Sequence, residues 1–277
     1  MEILSEVNRS NMQTCHLIEN IPEHSGNNRM FTRTKVAGGL LLFMVLFISC
    51  HRDTADDCFT PVGATITDTR LCDSVSVVEL YDNVDLVLVA GNSASLSVEC
   101  GKNIIDQITT KCDNGVLTIR NENTCNWVRS FNRRITVYAT LPFLNEIRYE
   151  SSGDVSTQGQ LNADSLRLNI WGGAGSFVLD LKVTKLKLAM HYGTADVTVS
   201  GQSLITTIFA NSFGPFYCQN LLSHIVYIRN SGSNDCYVNA RDILETEIAS
   251  VGNIYYRGNP YEIKTNITGN GKLIKME

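Results

Sequence analysis

Apolar and polar residues alternate in short runs from Ser74 onward: Val77 to Leu80, Val84 to Val89, Leu96 to Cys100, Ile108 to Cys112, Val116 to Arg120 and Ile135 to Ala139. A period of two, β-branched residues and turn formers between the runs predict strands. Asp113-Asn114-Gly115 predicts a hairpin turn. Helical periodicity is absent, so the chain reads as all-β.

Beyond Leu144 a longer period emerges. The turns around Gly153, Gly175, Ala195, Gly214, Asn234, Gly252 and Gly271 are each followed two residues later by Val155, Phe177, Val197, Phe216, Cys236, Ile254 and Leu273. These residues are 22, 20, 19, 20, 18 and 19 apart. A second alternating run precedes most turns, as in Leu166, Leu168, Ile170 and in Leu186, Leu188, Met190. A unit of strand, corner and strand repeating near 20 residues is a solenoid signature, because one such unit cannot bury its own apolar face.

The N-terminal region carries an address. Arg33 and Lys35 precede the apolar stretch Val36 to Ile48, which has signal-peptide length and is too short to span a bilayer. Phe47-Ile48-Ser49-Cys50 resembles a lipobox, with Cys50 as the lipidated residue after cleavage. Residues 30–49 are therefore expected to be a lipoprotein signal peptide, and 50–73 a flexible tether. Residues 1–29 are expected to be an untranslated upstream segment or an extended n-region, with Met30 as the initiator. The folded domain is then 74–277, divided into an N-terminal β portion, 74–143, and solenoid repeats, 144–277.

Several features resemble one known family, the auto-transporter adhesins with a head GIN domain (DUF2807), many of them bacterial lipoproteins. They are the opening Asn83-Val84-Asp85-Leu86, the hairpin Asp113-Asn-Gly-Val-Leu-Thr-Ile119, the step Leu141-Pro142-Phe143-Leu144 and the closing Gly252-Asn-Ile-Tyr-Tyr-Arg-Gly258-Asn-Pro260 with Gly269-Asn-Gly271. The resemblance runs from Val75 to Lys275. It implies a right-handed parallel β-helix (β-solenoid) with an N-terminal antiparallel β-sheet portion. It also implies adhesion, and it brings no catalytic residues.

Net charge narrows the partners. With 23 Lys and Arg against 28 Asp and Glu, the chain is at −5 and has no basic block, which argues against nucleic acid. Of the histidines expected in the mature chain, His51, His191 and His224, none has ligands at metal spacing, so neither metal nor cofactor is expected. The column Asp154, Asp196, Asp235 could serve polysaccharide chemistry, but aspartates at corners ordinarily cap backbone N–H groups. Cys100 with Cys112, or Cys58 with Cys72, are the more favourable disulfide pairs, while Cys218 and Cys236 read as buried thiols. Trp127 and Trp171 read as isolated core or edge residues.

Strand alternation sends Tyr217, Tyr237 and Tyr255 outward, one per coil. They form either a ligand-binding face or a ladder that only stiffens the rod. Outward positions Arg167, Lys187, Tyr227, Glu245, Glu247 and Lys264 are mixed in sign. The expected protein is a non-catalytic, lipid-anchored envelope module binding glycan or protein, periplasmic or exposed on the outer membrane. The alternatives are a polysaccharide-active β-helix enzyme and a purely structural envelope component.

Overall fold

Each short alternating run is indeed a strand. The computed structural model describes residues 61–72, 74–124 and 134–277, all within the compact unit Arg52–Glu277. The signal, Cys50, Cys58 and Trp127 lie outside them. The first nine strands are β1 (Thr65–Arg70), β2 (Val77–Asp82), β3 (Asp85–Val89), β4 (Ser95–Gly101), β5 (Ile108–Asp113), β6 (Val116–Asn121), β7 (Thr136–Thr140), β8 (Glu146–Ser151) and β9 (Val155–Gln158). Longer strands follow: β10 (Leu161–Gly173), β11 (Ser176–Tyr192), β12 (Asp196–Ala210), β13 (Phe216–Asn230) and β14 (Cys236–Ile248). The chain ends in β15 (Ile254–Arg257), β16 (Glu262–Ile267) and β17 (Leu273–Lys275). Among the described residues the sole helical turn is a 3-10 turn, Ile105–Gln107.

From β8 onward the strands stack in parallel as a β-solenoid, and the register reproduces the repeat. Val155, Phe177, Val197, Phe216, Cys236, Ile254 and Leu273 pair in succession. This column belongs to the arm that follows the glycine corner. The arm preceding the corner carries a second inward column, Tyr149, Ile170, Met190, Ala210, Asn230, Ile248 and Ile267. From Tyr149 to Ile248 the second column is at most 3% exposed, so hydrophobic burial between coils holds the stack together.

Two members of that column are polar, and both brace the glycine corner. The buried Tyr149 hydroxyl donates to the Gly153 carbonyl at 2.7 Å and accepts from the Gly175 N–H at 3.0 Å. Burial pushes its pKa up to about 12, so it stays protonated as a donor. Asn230 Nδ2 donates to the carbonyls of Asn234 and Asn253 at 3.0 and 3.3 Å, and its Oδ1 accepts from the Gly232 N–H at 3.0 Å. Both thereby add hydrogen bonds to backbone groups of the corner.

The N-terminal portion contains antiparallel pairs and also contributes parallel strands to the stack. β2 and β3 lie inside the parallel stack, where β2 pairs with β6 and β8, and β3 with β7 and β9. The inward columns thus extend to Ile119 and Leu80 on one arm and to Val137 and Leu86 on the other. Antiparallel pairing is confined to β1 with β4, β4 with β7, and the predicted hairpin β5–β6. These strands continue the sheets beyond β6 and β7 and cover that end of the stack. The turn residues Asn114 and Gly115 take φ of 49° and 79°, as a tight hairpin requires.

Candidate functional site: a tyrosine ladder on the outer face

The expected tyrosines do form one column. Phe216, Cys218, Cys236, Val238 and Ile254 point into the core, so alternation turns Tyr217, Tyr237 and Tyr255 outward, and all three are half-buried. Tyr217 pairs with Tyr237, and Tyr237 with Tyr255. Their ring centroids lie 5.4 and 4.9 Å apart, with interplanar angles of 21° and 12°. The rings therefore stack on one another along the stacking direction. Both faces of Tyr237 and one face each of Tyr217 and Tyr255 are covered by a neighbouring ring, so the row presents mainly ring edges and phenolic hydroxyls. That arrangement suits hydrogen bonding to a ligand lying along the row better than stacking on flat sugar rings. Burial and the neighbouring Asp235 carboxylate push the Tyr237 phenol above its ordinary value, keeping it a donor.

One flank of the ladder is the corner column that includes Asp154, Asp196 and Asp235. The three do not adjoin: Ser176 separates the first two levels, and Pro215 the last two. Asp154 Oδ1 accepts from the Ser176 N–H at 3.0 Å and its hydroxyl at 2.8 Å. Asp235 Oδ1 accepts from the Asn253 N–H and Nδ2 at 2.8 and 3.0 Å, and Asn253 Oδ1 from the Lys272 N–H at 3.0 Å. Burial alone would raise the Asp154 pKa. The Ser176 hydrogen bonds and nearby Arg134 instead bring it below the ordinary carboxylate range, so Asp154 is held ionised. Corner capping accounts for Asp154 and Asp235.

The outer face of the other arm holds a shallow groove of about 340 Å³. Tyr227, Glu245, Glu247 and Lys264 line it together with Phe209 and Arg229. Its charges are largely paired, with Arg229 at 3.5 Å from Glu247 and Lys264 at 2.8 Å from Glu262. Arg167 and Lys187 occupy the same column farther along, where Arg167 pairs with Glu146 at 3.4 Å and Lys187 lies 5.1 Å over the Phe209 ring.

A family model described as "Putative auto-transporter adhesin, head GIN domain" matches residues 76–260, more than half of the sequence. The chain belongs to this family. Crystal structures carry the same fold. A "putative adhesin" from Bacteroides fragilis NCTC 9343 superposes with a TM-score of 0.69 at 22% identity, over 77% of this chain and 97% of that one. A "putative lipid binding protein" from Parabacteroides distasonis ATCC 8503 gives 0.62 at 18% identity, over 78% and 98%. A "putative adhesin" from the same organism gives 0.60 at 15% identity, over 77% and 98%. At these identities the likeness is one of fold. No curated protein matches the sequence.

The cysteines are arranged differently from the expected pairs. Cys72 is bonded to Cys112, which excludes both Cys100 with Cys112 and Cys58 with Cys72. Cys100 points into the core from β4, and burial pushes its thiol up to about 11. The free thiols of Cys218 and Cys236 are also buried, and desolvation raises both, Cys236 to about 12. Such thiols are inert toward metal and oxidant.

Trp171, read as isolated, has a partner, and so does His224. Trp171 is 46% exposed and lies flat against His191, with ring centroids 3.7 Å apart and an interplanar angle of 6°. Their separation of 20 residues equals the repeat, which was the available signal. His224 Nδ1 lies 2.7 Å from Asp242 Oδ2. Among the described residues no group of three potential metal ligands converges.

Proposed function

We propose that this family member is a non-catalytic adhesive module of the bacterial cell envelope, held at the outer membrane through a lipid on Cys50. In this reading the Tyr217, Tyr237, Tyr255 ladder docks a glycan or protein ligand lying along the rod. The observation that carries it is the alignment of three half-buried phenols, whose rings recur about every 5 Å, a spacing at which their hydroxyls can meet a repeating polar ligand group by group.

The ladder is tested with two triple variants against a glycan array and a panel of extracellular-matrix proteins. Changing all three tyrosines to Phe keeps the stacking and removes the hydroxyls. Three lost hydrogen bonds at about 1 kcal/mol each should weaken binding on the order of 100-fold without altering the melting temperature. The Tyr217, Tyr237, Tyr255→Ser triple should bind no better. Unchanged binding by both would assign the ladder to rod stiffness alone. For the anchor, Cys50→Ala should abolish incorporation of labelled palmitate and shift the protein from the membrane to the soluble fraction. Retained label in the variant would refute Cys50 as the lipidated residue.

A further inference from the structure

A second outward column, on the arm preceding the glycine corner, brings together Arg120, Tyr81, Glu150, Trp171 and His191 on successive levels. Leu80 pairs with Ile119, Tyr81 with Glu150, and Glu150 with Gly172, beside which Trp171 is the bulged residue. Both ends of the column are closed stacks. The Arg120 guanidinium lies 3.7 Å from the Tyr81 ring centroid on the β6 side, and His191 covers Trp171 on the β11 side. The uncovered faces of Tyr81 and Trp171 are thus turned toward the one level between them, which holds Glu150.

On the Trp171 side, Glu150 faces Gly172, which has no side chain, and a Cβ placed there would meet no atom within 4 Å. Glu150 is exposed, and its neighbour Arg148 is engaged by Glu79 at 2.8 Å and Glu146 at 3.1 Å. Desolvation and Lys187 lower the His191 pKa, so a neutral imidazole backs the indole. Arg120, the nearest positive charge along the column, stands behind Tyr81, whereas the Glu150 carboxylate stands in the gap.

The spacing selects a ligand shape. Neighbouring strands lie about 4.8 Å apart, so the levels of Tyr81 and Trp171 are about 9.6 Å apart. A flat ring sandwiched between two others needs two contacts of about 3.5–4.0 Å, or about 7–8 Å in all, and would be loose here. A rounded cation midway lies about 4.8 Å from each ring level, within the roughly 6 Å over which an aromatic face attracts positive charge. We propose that Tyr81, Glu150 and Trp171 form a binding site for a quaternary ammonium group of the choline type. Two aromatic faces supply the cation–π attraction, and Glu150 supplies the counter-charge. The site is separate from the tyrosine ladder and does not depend on it.

Isothermal titration of the purified protein with choline chloride should give saturable one-site binding. The neutral isostere 3,3-dimethylbutanol should bind at least about tenfold more weakly, because it keeps the shape and loses the charge. Trp171→Ala and Glu150→Gln should each weaken choline binding by about tenfold, and the ladder triple-Phe variant should leave it unchanged. Glu150→Gln alters an exposed side chain, so its result stands even if Trp171→Ala perturbs the strand. Glycerophosphocholine in a parallel titration identifies the source: tighter binding than choline marks a phospholipid headgroup, and weaker binding marks free choline. The proposal is overturned if choline shows no saturable binding, if the isostere binds equally well, or if Glu150→Gln binds like the parent protein.

Discussion

A Gly175→Val variant is expected to lose about 4 kcal/mol of stability and to melt about 10 °C lower. The reason lies in how closely successive coils approach at the glycine corner. A Cβ on Gly175 would lie 2.1 Å from the Gly153 carbonyl oxygen and 2.2 Å from the Tyr149 hydroxyl. The first is backbone of the adjacent coil, and the second belongs to a buried ring that cannot swing away. Pushing the Tyr149 hydroxyl aside also breaks its bonds to Gly153 and Gly175, leaving buried polar groups unpaired. Overpacking at about 1–3 kcal/mol and lost hydrogen bonds at about 1–3 kcal/mol therefore act together. Gly172 provides the internal control: its would-be Cβ meets nothing, and Gly172→Ala should change stability by no more than about 1 kcal/mol. Thermal melts of both variants check the contrast, and a Gly175→Val midpoint within about 2 °C of the parent would contradict it.

The same corner explains why so much of the solenoid was legible in the sequence. Its glycines recur because a neighbouring carbonyl sits where a side chain would be, and the apolar residue two places later must point inward. The two constraints coincide at five of the seven corners and the inward residue recurs at all seven, so the spacing from Val155 to Leu273 follows the pairing register. No such local constraint marks β2 and β3. Their partners Tyr149 and Val155 lie 69 residues beyond Leu80 and Leu86, and a short alternating strand looks the same whether its neighbour runs parallel or antiparallel.

The candidate sites divide along similar lines. Alternation determines the side of the sheet on which a tyrosine lies, so the ladder was legible. It says nothing of ring planes, and those decide that Tyr217, Tyr237 and Tyr255 present edges. For Trp171 and His191 the 20-residue count points to the contact, but the register slips locally so that Trp171 pairs with Tyr192, and the flat stacking of its ring on His191 is not encoded by alternation. The Cys72–Cys112 bond joins residues that come together only because β1 and β5 both lie at the covered end of the stack, a long-range arrangement that cysteine spacing does not encode.

That bond supports the second large prediction. A Cys72→Ser, Cys112→Ser double variant should lose about 4 kcal/mol, the chain-entropy value for a cross-link spanning 40 residues. The loss should be concentrated where the bond acts. It ties the segment after β1 to β5, and Arg70 reinforces the same junction by donating to the Ile105 carbonyl and the Thr110 hydroxyl at 3.1 Å each, and to the Ile108 carbonyl. β1, β4 and β5 form the end of the stack, whereas β12 to β14 are held on both sides by parallel neighbours. In a quasi-one-dimensional stack each level contacts only the next, so a weakened end opens before the middle. Hydrogen exchange should accordingly accelerate in β1, β4 and β5, with β12 to β14 retaining most of their protection, and an early melting step should separate from the main transition. Uniform acceleration along the rod would mean that the end and the middle unfold as one cooperative unit. An unchanged melt would mean that Arg70 and the strand pairings suffice to close the end without the covalent link.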